Sequence, residues 1–77
     1  IRTLKWIRET WLRGRRDYLA LEREAQTRLL AHGFKIDYVA IRDSSTLLPP
    51  TPESTSCRAL AAAWLGKTRL IDNLALE

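Results

Sequence analysis

Apolar positions recur every three to four residues along the start of the chain. At about 100° per residue, Ile1, Leu4, Ile7, Trp11 and Leu12 fall within an arc of about 140°, which predicts an amphipathic helix over 1–13. Gly14 interrupts this pattern and predicts a left-handed C-terminal cap. Trp6 lies nearly opposite the centre of the stripe, an odd place for a large aromatic ring.

A second helix is predicted from about Asp17 to Ala31. Asp17 is a good N-cap, because its carboxylate can accept from the free amides of the first turn. Leu21, Ala25 and Leu29 repeat at i, i+4, i+8, one turn after Tyr18. Glu24 and Arg28 have the favourable i, i+4 polarity, worth about 0.2–0.5 kcal/mol. Gly33 closes the helix, and His32 sits in the last turn, where positive charge suits the helix dipole.

The period then changes to two. Over Phe34–Arg42, Ile36, Tyr38 and Ala40 alternate with Asp37, Val39 and Ile41, which predicts a strand. Asp43-Ser44-Ser45-Thr46 has short polar side chains that bond local backbone and start a turn. All three prolines lie in Pro49-Pro50-Thr51-Pro52, and Ser54-Thr55-Ser56 extends this into a surface loop.

Residues 57–65 support two readings. Alanine and leucine are strong helix formers, and nothing in Cys57–Leu65 is β-branched. Gly66-Lys67, however, is a Gly-X pair suited to a type II′ hairpin between 57–65 and Thr68-Arg69-Leu70-Ile71. As a strand, the segment would put Ala59, Ala61 and Ala63 on one smooth face that a helix can approach closely. Pattern alone leaves both readings open.

Composition narrows the picture. Seventy-seven residues make one small domain, too short for an ordinary two-domain enzyme. No apolar run reaches the roughly 20 residues that span a bilayer. The single cysteine, Cys57, cannot form an internal disulfide, and a cytoplasmic setting is expected. The chain has no methionine and begins at Ile1, so it is expected to be excised from something longer. Residues 1–16 carry six basic groups (Arg2, Lys5, Arg8, Arg13, Arg15, Arg16) against Glu9, which is +5. The other seven basic and eight acidic groups give −1. The basic character therefore belongs to the first helix and its turn.

Few residues invite chemistry. One histidine and one cysteine cannot build a zinc site, and Gly14, Gly33 and Gly66 are too dispersed for a phosphate loop. No spacing recommends a Cys57/His32 nucleophilic pair. Asp37, Asp43 and Asp72 read as solvated strand and turn carboxylates rather than acid–base partners. The basic helix with its two tryptophans suggests the alternative function: a free-standing binding module for nucleic acid or an acidic protein. Trp6 admits a different account, an aromatic side chain that packs against a part of a longer protein.

Two stretches carry a resemblance. One is Gly33-Phe34-Lys35-Ile36-Asp37-Tyr38-Val39-Ala40-Ile41-Arg42-Asp43, continuing to Leu47; the other is Ala61-Ala62-Ala63-Trp64-Leu65-Gly66-Lys67-Thr68-Arg69-Leu70-Ile71-Asp72-Asn73. In this order, after two helices, the chain resembles the C-terminal domain of the pantothenate synthetases (pantoate–β-alanine ligases) over essentially its whole length. The resemblance implies an α+β fold, two N-terminal helices packed on a small, mainly antiparallel three-stranded sheet, with 57–65 as a strand. It implies a parent enzyme that joins pantoate to β-alanine through a pantoyl adenylate, using ATP and Mg2+. It also implies a Rossmann-like catalytic domain as partner, carrying the contact of a homodimer, with this domain as its lid. The family's His-x-Gly-His and Ser-Ser-Arg-Asn signatures are absent from these 77 residues, so no catalytic, cofactor-binding or metal-binding residue carries over. The expected contacts to the missing domain or ATP are Trp6, with Arg2 and Lys5 beside it on the first helix.

Overall fold

The computed structural model describes residues 2–76. Helices α1 (Arg2–Leu12) and α2 (Tyr18–Ala31) precede strands β1 (Lys35–Asp43), β2 (Cys57–Leu65) and β3 (Thr68–Ala75). The strands form an antiparallel sheet in the order β1-β2-β3. The fold is the expected α+β arrangement. Both helices lie on one face of the sheet, α2 against β1 and α1 against β2 and β3. The molecule measures 39 × 22 × 17 Å, a plate of two layers. Among the described residues no helix is long and apolar enough to cross a membrane.

The core lies between the layers. Leu4, Ile7 and Trp11 of α1 and Leu21, Ala25 and Leu29 of α2 meet Val39, Ile41, Cys57, Ala59 and Ala61 of the sheet. Leu and Ile knobs from the helices face small alanine side chains on β2, which lets the layers approach closely. That close approach settles 57–65 as a strand against its helical propensity. Register places Ala59 between Ile41 and Leu74, and Ala61 between Val39 and Asp72, so β2 is central and paired on both sides. Tertiary pairing outweighs a few tenths of a kcal/mol per residue of propensity.

Several local expectations change. The buried positions of α1 are Thr3, Leu4, Ile7 and Trp11. On a helical wheel these span about 100°, centred about 60° away from the predicted stripe and toward Trp6. Leu12 is consequently 56% exposed, and Trp6 sits at the margin of the core rather than opposite it. Ile1 lies outside the described residues. Asp17 occupies the N-cap position of α2 without making a side-chain cap bond. Its carboxylate is taken by Arg15 instead, Nε to Oδ1 at 2.7 Å and Nη2 to Oδ2 at 2.9 Å. Arg15 also donates to Glu24, which thus reaches back to the interhelical turn and keeps only a charge interaction with Arg28, one turn on.

In β1 the alternation is broken by a bulge between Ile36 and Tyr38. Ile36 opposes Ala63 and packs on the core with Val39 and Ile41, whereas Tyr38 opposes Ala62 on the other face. Ile36 therefore parts from Tyr38 and Ala40, with which simple period-two counting had grouped it. The β2–β3 turn is as expected: Gly66 has φ +61°, and among the described residues Leu47 is the only non-glycine with positive φ. One positive φ, at the first central position, is the type II′ signature. Gly66→Ala should destabilise the domain by about 1–2 kcal/mol, since an L side chain is strained there. A thermal midpoint equal to that of the parent chain would contradict this turn.

Candidate functional site

The three residues singled out by sequence lie on the first turns of α1. Arg2 and Lys5 are exposed, and Trp6 is half-buried. The Trp6 ring packs against the core, and the Arg28 guanidinium lies over it, 4.0 Å from the ring centroid. This cation–π contact, worth about 0.5–1 kcal/mol at an exposed site, accounts for part of the Trp6 surface within the domain. Arg2 joins Thr3, Leu29, His32, Phe34 and Leu70 around an apolar groove at the hairpin end of the sheet. Two other basic residues of this region are committed internally. Arg15 is held in its charged form, above the ordinary arginine range, by hydrogen bonds to Asp17 and Glu24. Arg16 lies over the Trp11 ring at 4.3 Å and donates to the Trp11 carbonyl. Two of the six cations of residues 1–16 are thus engaged within the domain.

At the opposite end, the 43–56 connection folds around Asp43. Its Oδ1 accepts from the backbone N–H of Ser45 at 2.8 Å and of Thr46 at 3.3 Å, and its Oδ2 accepts from Ser54 Oγ at 2.7 Å. The Ser54 hydroxyl, then the Ser45 and Thr46 amides, hold the Asp43 carboxyl below the ordinary aspartate range. A lowered folded-state pKa stabilises the fold above the unfolded value, and that contribution is lost as pH falls through the folded value. Proteolytic cutting within 43–56 should therefore rise as pH drops below about 3.9, and Asp43→Asn should remove the pH step. The loop covers a cleft of about 450 Å³ lined by Trp11, Arg16, Tyr18, Pro50, Thr51, Pro52, Ser54 and Cys57. Its walls are mostly apolar, with no nucleophile–base pair among them.

The other candidates stay apart. Cys57 is buried at the start of β2, whereas His32 caps α2 with Nδ1 2.8 Å from the Arg28 carbonyl oxygen. His32 lies at the end of the sheet where Trp64 pairs with Lys35, seven strand steps from Cys57, roughly 23 Å. They cannot act together in this fold. Asp37 accepts from Arg69 Nε at 2.8 Å, and Asp72 accepts from the Asn73 amide at 2.8 Å. Asp37, Asp43 and Asp72 thus have separate structural partners, as solvated strand and turn carboxylates should.

The surface that sequence reasoning passed over is the sheet face turned away from the helices. Register puts Tyr38, Ala40, Leu60, Ala62, Trp64 and Ile71 there. Ala62 is fully covered, although no helix lies on this side, because Tyr38 and Ile71 flank it across the sheet and Leu60 and Trp64 along the strand. Tyr38 is 41% exposed and Ile71 63%. An antiparallel sheet with one solvated face ordinarily shows polar residues on it. The available signal was the lack of polar alternation in β2, where residues 59–65 are apolar without a break.

A model of the family described as pantoate-beta-alanine ligase matches residues 1–75. The pantothenate synthetase of Aliivibrio fischeri is 46% identical over 76 residues, 99% of this chain and 26% of that protein. That of Nitrosomonas europaea is 47% identical over 73 residues, 95% of this chain and 26% of that protein. Among solved structures, the pantothenate synthetase of Thermus thermophilus superposes with a TM-score of 0.79 at 33% identity, covering 97% of this chain and 27% of that one. The chain spans about a quarter of the length of these relatives.

Proposed function

The chain belongs to the pantoate–β-alanine ligase family, and from that premise we propose that it is the C-terminal lid domain of a cytoplasmic, ATP-dependent, pantothenate-forming ligase. The observation that carries this reading is the family match over residues 1–75 by a chain only about a quarter of its relatives' length. In the whole enzyme, pantoate and ATP form a pantoyl adenylate with loss of pyrophosphate. The β-alanine amine then attacks the acyl carbon and AMP leaves. The Rossmann-like catalytic domain holds these substrates and joins two copies into a homodimer.

The division of labour follows from what this chain holds. Among the described residues no three His, Cys, Asp or Glu side chains gather to hold a metal ion. Magnesium accompanying ATP is proposed to travel with the nucleotide in the catalytic domain, held mainly by the substrate phosphates. A lid needs no reactive group of its own. An acyl adenylate hydrolyses in water, and a rigid plate over it keeps water out while β-alanine attacks. Trp6, Arg2 and Lys5, on the first turns of α1, are the proposed contacts beside the join with the catalytic domain.

The test is coupling in the full-length enzyme. Removing this domain should raise AMP released per pantothenate formed by at least about tenfold, because the adenylate is exposed to water. Trp6→Ala should raise the same ratio more modestly. A lidless enzyme that still forms one pantothenate per AMP would sink the lid reading, and a Trp6→Ala enzyme with unchanged kinetics would remove Trp6 from the contact.

A further inference from the structure

Resting on the lid reading, we infer that the domain docks on the rest of the ligase through its open sheet face. The centre of that face is Tyr38, Ala62 and Ile71 in one cross-strand row, with Trp64 and Leu60 on either side of Ala62. A contiguous apolar surface of this kind marks an interface, whereas single exposed apolar residues do not. Leu12, Leu19 and Leu30 are equally exposed but belong to the helical layer.

Two observations choose the occupant. The first is charge. Around the apolar centre, register and contacts place Lys35, Arg58 and Arg69 against one acid, Asp37, which is +2, while Arg42 reaches round the sheet edge to Glu22 of α2. Two copies facing each other would press like charges together at a desolvated rim, an arrangement that disfavours self-pairing. A complementary surface is apolar at its centre and carries carboxylates at its edge. The second is length: the relatives continue for about three times the span of this chain, so such a surface is available within the same polypeptide. The geometry agrees. The groove shared by Arg2, Phe34 and Leu70 puts the start of α1 at the same end of the sheet as Trp64, Tyr38 and Ile71. One partner can therefore meet both the first turn of α1 and the open face.

Ile71 and Leu19 provide a matched pair, 63% and 64% exposed on opposite layers. Ile71→Cys, Tyr38→Cys and Leu19→Cys are made singly in the full-length enzyme, stripped of other reactive cysteines. Each is labelled with a maleimide in the presence of ATP and pantoate. At Ile71 and Tyr38 labelling should be at least about tenfold slower than at Leu19, since only the undocked fraction reacts. Fast labelling at both sheet positions, or protection at Leu19 instead, overturns the docking face. Protection that grows with enzyme concentration also overturns it, in favour of a second copy. A wild-type enzyme that forms no pantothenate would instead sink the ligase reading, so the two failures are separable.

Discussion

Leu21→Ala is expected to destabilise the domain by about 2–5 kcal/mol. Leu21 is completely buried on α2, among the largest side chains of the core. Its removal takes away apolar burial and leaves a cavity between α2 and β1, in a close-packed two-layer core that relaxes only partly around the gap. A chain of this length has a total stability of about 4–12 kcal/mol, so this one change removes a large share of it. Leu19→Ala, two residues away on the exposed side of α2, should stay within about 0.5 kcal/mol. Urea midpoints of the two variants give the comparison directly. If Leu21→Ala proved as mild as Leu19→Ala, α2 would not sit on the sheet in the orientation described.

The second large effect is expected at Glu22. Strand β1 is an edge strand, and its Ile41 amide donates to Glu22 Oε2 at 2.7 Å. The same oxygen accepts from Arg42 Nη1 at 3.3 Å, with the Glu22 side chain only 14% exposed. The carboxylate thus ties α2 to the sheet and covers an edge group that would otherwise invite pairing with another strand. Glu22→Ala leaves that amide without its partner and should cost about 1–3 kcal/mol. Glu22→Gln keeps an acceptor but loses the charge, and should cost less. Hydrogen exchange of the Ile41 amide separates the cases, accelerating strongly in the alanine variant. An unchanged exchange rate in Glu22→Ala would remove the bond from the account of the edge.

Much of the fold was legible without coordinates. Leu21, Ala25 and Leu29 gave α2 its buried face, and Gly33 gave its end, because a helix long enough for three repeats carries an unambiguous period. Gly66-Lys67 marked the hairpin, because few sequences relieve a positive φ at the first turn position. The two resembling stretches pointed to the family that the chain belongs to. Among the site residues, Arg2 and Lys5 are exposed on α1, and the surroundings of Trp6 were not legible. Its Arg28 partner lies on the other helix, twenty-two positions on, and nothing local to either residue announces their meeting.

What the sequence determined by itself was therefore what short-range physics controls: helix periodicity, turn chemistry and the localisation of charge to residues 1–16. Tertiary structure decided the rest. It made 57–65 a strand, since pairing on both sides outweighs alanine's helical preference. It redirected Asp17 and Glu24 to Arg15, because a guanidinium in the interhelical turn can bond both carboxylates at once. It turned Ile36 inward through the bulge and left Tyr38 and Ile71 on an uncovered face. Which face of a strand is covered depends on where the helices pack, and that is a long-range choice made by the whole core.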